Sequence, residues 1–436
     1  MYHYNIEHRI GDTFLSTEDR IIIKGGKKLE GSVTVAGSKN AAVAIICACA
    51  MVKGKVVLEN MPEIIDIRIL LDSLKLMGAQ VERRNNKTVE IDSTNIKTHI
   101  ADNAELGILR GSYYFVGALL GRFKQAKVVF PGGCNFAPRP IDQHVYSFET
   151  LGATVETTGG YITAKARKLQ GANIFFDNFS VGATINAILA ATLAEGTTTI
   201  ENATREPHVV DVANFLNMMG ADIKGAGTNT IRIRGVNELI GGKTYSVCPD
   251  MIEAGTLMIA AAATKGTITL LNVTPEHLEA LSAKLTEMGI VIETMDDSLT
   301  VKANVKKLKG TNIKTMPYPG FPTDLHPQMA ALLSVAEGDS KIIEGVFPTR
   351  FQYVEQLHKL GANIQLGGGS ATVKGVSKLI GAPVSPTDLR AAASMVIAGL
   401  MADGQTVISN LIHLDRGYEE IIEKLQSLKA AIERNS

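Results

Sequence analysis

Cys134 is the side chain in this sequence best suited to covalent or acid–base chemistry. It stands in the run Pro131-Gly132-Gly133-Cys134-Asn135-Phe136-Ala137-Pro138-Arg139-Pro140-Ile141-Asp142. The two glycines admit dihedrals that other residues avoid, and Pro138 and Pro140 stiffen the exit, with Pro140 suited to open a helix. Arg139 sets a fixed positive charge nearby, which favours the thiolate and can hold an anion against it, whereas a structural cysteine sits among apolar neighbours. Both readings stand at this level.

The elements that must position this loop come in copies. An apolar residue followed by Gly-Ala recurs at Met77-Gly78-Ala79, Leu151-Gly152-Ala153, Met219-Gly220-Ala221 and Leu360-Gly361-Ala362, with variants Met288-Gly289-Ile290 and Leu428-Lys429-Ala430. Spacings of 74, 68, 69, 72 and 68 residues define six units of about 70 residues. Each unit opens with a helix of small apolar residues (41–50, 182–193, 255–263, 329–335, 391–401), apolar on every side and so buried all round. A strand follows, then a loop and an amphipathic helix; in the first unit Ile67, Leu70, Leu71, Leu74 and Met77 form its buried face. This grammar predicts α/β domains with helices inside and sheets outside, three units in each. The expected division is 40–247 for one domain, with the Cys134 loop, and 19–39 plus 248–436 for the other. A border near Gly241-Gly242-Lys243 fits it, and strand 21–24 is expected to pair with the C-terminal half.

The starts of the first helices favour anions, because unsatisfied N–H groups and the helix dipole meet there. They read Gly37-Ser38-Lys39-Asn40, Leu109-Arg110-Gly111, Ser180-Val181-Gly182-Ala183, Asp250-Met251-Ile252-Glu253, Pro322-Thr323-Asp324 and Thr387-Asp388-Leu389-Arg390. Ser38, Thr323 and Asp388 are N-cap types. Lys39, Arg110 and Arg390 oppose the dipole, so either a negative ligand or solvation must account for them. Loops before the second helices add Cys134 and Arg139, Arg205 and Glu206, Arg350, and Arg416. Facing each other across a cleft, the two sets suit a small substrate bearing phosphate or carboxylate.

Composition removes other classes. Lys plus Arg and Asp plus Glu each total 44, so no net charge points to nucleic acid or to an anionic membrane. Cys47, Cys49, Cys134 and Cys248 show no CxxC or zinc spacing, which fits unpaired thiols in the reducing cytoplasm. Apolar runs fall short of the roughly 20 residues of a membrane span, and residues 1–18 read as a disordered tail rather than a signal peptide. There is no Walker loop, strand-to-helix GxGxxG or HExxH, so neither metal nor cofactor is expected.

On Gly37-Ser38-Lys39-Asn40-Ala41, Pro131-Gly132-Gly133-Cys134 with Arg139-Pro140-Ile141-Asp142, Phe321-Pro322-Thr323-Asp324 and Asp415-Arg416-Gly417-Tyr418-Glu419, the chain resembles the UDP-N-acetylglucosamine 1-carboxyvinyltransferase family from about Ile21 onward. The resemblance implies a two-domain inside-out α/β barrel. It implies transfer of the enolpyruvyl group of phosphoenolpyruvate to the 3'-hydroxyl of UDP-N-acetylglucosamine, early in peptidoglycan synthesis. The partners expected are these two small molecules, with neither nucleic acid nor membrane, and a monomer is expected. Cys134 takes the place of the general acid and fosfomycin target, and Asp324 that of the carboxylate receiving the hydroxyl proton. Lys39, Arg139 and Arg416 match catalytic cations. With Asn40 and Arg390 they form the phosphoenolpyruvate site. The nucleotide-sugar positions are Arg110, Arg139, Pro140, Ile141, Asp142, Gln143, Asn178, Phe179, Ser180, Val181, Gly182, Asp324 and Val346. Thr349 departs from the asparagine often found before Arg350, and residues 1–18 exceed the usual start. The alternatives are a 5-enolpyruvylshikimate-3-phosphate synthase and a non-catalytic nucleotide-sugar sensor. Cys134→Asp is expected to keep part of the transfer activity, since a carboxylic acid also gives a proton, and to lose labelling by fosfomycin; mass spectrometry showing unchanged labelling would remove Cys134 from this role.

Overall fold

The structure, a computed structural model, describes residues 19–130, 132 and 140–435. Six units follow one another as read from the repeats. They carry the helices α1 (Lys39–Cys49) and α2 (Ile65–Leu76), α3 (Tyr114–Phe123) and α4 (Asp142–Thr150), α5 (Val181–Thr192) and α6 (Pro207–Met218), α7 (Met251–Ala263) and α8 (Glu279–Glu287), α9 (His326–Leu333) and α10 (Tyr353–Lys359), and α11 (Leu389–Met401). In the sixth unit the second helix is preceded by a short turn of helix, giving α12 (Ile412–Asp415) and α13 (Ile421–Ser427). α4 begins two residues later than Pro140 suggests, with Ile141 at the N-cap. The expected tail, residues 1–18, lies outside the described residues.

The small apolar helices are buried on all faces, as α1 shows from Ala41 to Cys49 and α11 from Arg390 to Leu400. Small side chains let these helices pack on one another, α3 on α5 and α9 on α11. Every repeat of the Gly-Ala signature closes its helix in the same way. The residue at the glycine position has positive φ, from 108° at Gly78 to 90° at Gly361. The next N–H then reaches back five residues, Ala79 to Leu74 and Ala362 to Leu357, both completing the Schellman cap. Lys429 takes this left-handed conformation too, at φ 72°, so the degraded sixth copy keeps its cap despite the cost of a Cβ.

Each unit's central strand lies in a four-stranded sheet, between a parallel edge strand and an antiparallel hairpin. In units 2, 3, 5 and 6 the edge strand directly precedes the unit's own first helix, as Asn173–Phe175 precedes α5. Units 1 and 4 exchange theirs. Glu30–Thr34, which precedes α1, pairs with Thr267–Leu271 of unit 4, whereas Lys243–Ser246, which precedes α7, pairs with Lys55–Glu59 of unit 1. Gly241-Gly242 is therefore a turn within the first half rather than a border. Arg20–Lys24 lies between Gln405–Ile408 and Ala431–Asn435, where the other sheets place a hairpin strand. Two separate hydrophobic cores result. One is drawn from residues 41–247, and the other from 21–35 together with 252–432.

The exchanged segments cross beside the starts of α1 and α7. Ser38 N donates to Cys248 O at 2.7 Å and Asp250 N to Ala36 O at 2.9 Å. Asp250 Oδ1 caps α7 through the N–H groups of Ile252 and Glu253, at 2.7 and 3.1 Å, and Oδ2 accepts from Lys39 N, at 2.9 Å, in the first turn of α1. One carboxylate thus caps a helix in each core. Asp250→Ala removes the cap of α7 and one of the two side-chain acceptors at the start of α1, where Ser38 remains, and the expected loss is about 1–3 kcal/mol, read from the urea midpoint. A loss under about 1 kcal/mol would show the crossing to be held by backbone bonds alone.

Candidate active site

Lys39, in the first turn of α1, meets a carboxylate that sequence reasoning passed over. Lys39 Nζ lies 2.8 Å from Asp66 Oδ2, and Arg416 Nε lies 2.8 Å from Asp66 Oδ1. Asp66 comes from the first core's α2, whereas Arg416 follows α12 in the second, so the pair spans both halves. Burial alone would push Asp66 up, but Lys39 and Arg416 outweigh it and hold the carboxyl below its ordinary value. Burial pushes Lys39 down from the usual lysine value, with Asp66 opposing it. The available signal for Asp66 was positional: one turn before Leu70, it flanks the apolar face of α2, where a charge needs a partner.

A second cluster repeats the pattern. Asp324 Oδ1 accepts from Arg350 Nη1 and Asp324 Oδ2 from Arg390 Nη2, both at 2.8 Å. The two guanidinium side chains are only 3% and 5% exposed, against 25% for Asp324. Burial by itself would raise Asp324, yet Arg390 and Arg350 hold it far below the carboxylate range. Arg390 also reaches Tyr418 Oη at 3.3 Å, and that hydroxyl meets Thr256 Oγ1 and Gln328 Nε2. Solvation therefore does not explain Lys39 and Arg390 at their helix starts. Protein carboxylates answer them, with two cations gathered on one carboxylate in each cluster.

Thr323 was read as an N-cap, and the structure corrects this. The chain forms a short 3-10 turn, Thr323–Leu325, before α9, and the Thr323 hydroxyl donates instead to Glu344 Oε2 at 2.9 Å. Ser38, Ser180 and Asp388 do cap their helices. Among the residues expected to bind a nucleotide sugar, several converge through aromatic contacts. Arg110 lies over Tyr113 at 4.8 Å, Tyr113 packs on His144 at 5.1 Å, and His144 abuts Gly182. A Cβ at Gly182 would stand 2.9 Å from the imidazole, so glycine is required for the first turns of α4 and α5 to meet. Asp142 and Gln143 open α4 beside Pro140 and Ile141, while Asn178, the half-exposed Phe179, Ser180 and Val181 lead into α5. Asn40 follows Lys39 in α1, and the N–H of Val346 donates to Glu344 Oε1 at 2.8 Å.

Cys134 and Arg139 lie outside the described residues. Gly132, which is described, donates its N–H to Gly107 O at 2.6 Å. Ile108, next to Gly107, offers its carbonyl to Arg416 Nη2 at 3.2 Å.

The sequence pattern of EPSP synthase (3-phosphoshikimate 1-carboxyvinyltransferase) matches residues 23–425. A UDP-N-acetylglucosamine 1-carboxyvinyltransferase of Clostridium botulinum is 54% identical over 95% of this chain and 99% of its own. The chain belongs to the UDP-N-acetylglucosamine 1-carboxyvinyltransferase family. A second such relative, numbered 2 in Bacillus subtilis, is 50% identical over 95% of this chain and 96% of its own. Among solved structures, the enolpyruvyl transferase NikO from Streptomyces tendae superposes with a TM-score of 0.87 at 27% identity, covering 96% of this chain and 99% of that one. EPSP synthase of Acinetobacter baumannii shares the fold, with a TM-score of 0.75 at 20% identity over 96% of this chain and all of its own. The two-domain inside-out architecture is thus that of the enolpyruvyl transferases, and the chain is a transferase.

Asp324→Asn leaves Arg350 and Arg390 without the carboxylate they share. The expected cost is about 2–4 kcal/mol, somewhat below a fully buried pair because Asp324 keeps some exposure. Millimolar phosphate should restore part of the melting temperature in the variant and do less for the wild type. The folded carboxyl titrates below its unfolded value near 3.9, so its stabilisation is complete above that pH and fades as the pH falls. The variant should accordingly lose stability less steeply in acid; parallel acid profiles would contradict the assignment.

Proposed function

We propose that this chain transfers the enolpyruvyl group of phosphoenolpyruvate to the 3'-hydroxyl of UDP-N-acetylglucosamine and releases phosphate, the first committed step of peptidoglycan precursor synthesis. The observation that carries the reading is the Lys39–Asp66–Arg416 cluster, in a chain that is 54% identical to a relative of that name and carries the Pro131-Gly132-Gly133-Cys134 motif in its sequence. Carbon 3 of the donor receives a proton from the Cys134 thiol while the acceptor oxygen bonds to carbon 2 and gives its proton to Asp324. The tetrahedral adduct then loses a proton from carbon 3, re-forming the double bond as phosphate leaves, and Lys39, Arg139 and Arg416 offset the departing charge. Held by two arginines, Asp324 is a poor base in the free enzyme. A donor anion that draws Arg390 toward itself raises the basicity of Asp324, so the base becomes competent when the donor arrives.

Residues 19–39 with 248–436 supply Asp324, Arg390 and Arg416, and residues 40–247 supply the thiol, so the reaction takes place between the halves. We assign the chain to the cytoplasm as a monomer; no helix of the described residues is long and apolar enough to cross a membrane. Phosphate release from phosphoenolpyruvate should depend on UDP-N-acetylglucosamine and not on shikimate 3-phosphate. Release with shikimate 3-phosphate alone would replace the acceptor, and release with neither would favour a sensor.

A further inference from the structure

Glu344, 3% exposed, lies behind the candidate site and collects hydrogen bonds from three stretches of chain. Its Oε1 accepts from Thr315 Oγ1 at 2.6 Å and from the N–H groups of Val346 and Phe347 at 2.8 and 2.9 Å. Its Oε2 accepts from Thr323 Oγ1 and lies 2.9 Å from His326 Nδ1. The other imidazole nitrogen, Nε2, is 2.6 Å from the Tyr353 hydroxyl. Burial pushes His326 below its ordinary value, which favours the neutral ring, while Glu344 opposes it. The neutral ring gives its single N–H to Glu344 and accepts from Tyr353. Burial would raise Glu344, but His326 and the hydroxyl and amide donors hold it down to about 2 and ionised.

The donors are directional. With its hydrogen turned to Glu344, the Thr323 oxygen presents lone pairs to Arg350 Nη1, 3.0 Å away, and Arg350 closes on Asp324. The same carboxylate fixes the turn that bears Val346. We propose that Glu344, oriented by His326 and Tyr353, is a positioning residue for the acceptor half of the reaction, setting Asp324 and the Val346 turn in register with the nucleotide sugar. This rests on the function proposed above.

Glu344→Gln keeps the shape but replaces one acceptor oxygen with an N–H₂ group facing donors. The expected result is a kcat lower by about 10- to 100-fold and a KM for UDP-N-acetylglucosamine several-fold higher, with the KM for phosphoenolpyruvate within about twofold. Covalent attachment of phosphoenolpyruvate to Cys134, followed by mass spectrometry, reads the donor side alone and should persist. Thr323→Val removes only the hydroxyl link and should lower kcat by about 3- to 10-fold with the same KM split. Equal damage to both substrates and to the adduct in both variants would make Glu344 merely structural, and unchanged kinetics in both would equally overturn the proposal. A wild-type enzyme that turns over neither substrate would instead sink the proposed function.

Discussion

The capping carboxylate of Asp250 is the constraint on which the site depends. A helix buried on all faces still exposes its first N–H groups at the end where it emerges, and those groups need acceptors. At the crossing of the two chain segments, one carboxylate meets that need for α1 and α7 together. The two hydrophobic cores are separate, and the links between them run through polar contacts and the exchanged strands. Because the shared cap fixes where α1 begins, it fixes where Lys39 leaves the helix and lets Lys39 reach Asp66. The edge-strand exchange sets the same crossing from the sheet side, since each half carries a strand on loan from the segment that leads into the other.

Around that crossing the protein keeps charges where burial disfavours them. Burying an ion pair seldom stabilises a fold, because desolvation offsets most of the attraction. Asp66 serves Lys39 and Arg416, and Asp324 serves Arg350 and Arg390. Each carboxylate therefore fixes two cations from distant stretches of chain at one place. On the function proposed above, the basicity of Asp324 depends on those two arginines.

Much of this was legible in the residues. The Gly-Ala signature gave the unit count because a left-handed helix end and a five-residue return bond are local requirements, and even Lys429 obeys them. All-round apolarity placed five of the first helices inside, and the cations Lys39 and Arg390 at helix starts fall in the two carboxylate clusters. Other features were not local. Thr323 looks like a cap in sequence, yet a carboxylate 21 residues later turns its hydroxyl away from the helix. Asp66 is an ordinary first-turn acid until Arg416, 350 residues away, folds against it. Glu344 sits at the end of a strand with nothing in its neighbours to announce five donors.

The sequence by itself determined the repeated unit, its buried helices and the cations at the helix starts, since periodicity, propensity and capping act within a few residues. Only the tertiary structure decided which edge strand joins which sheet and which carboxylate answers which cation. Strand pairing and buried charge pairing are settled by what lies across a core, and neither leaves a signature at short range.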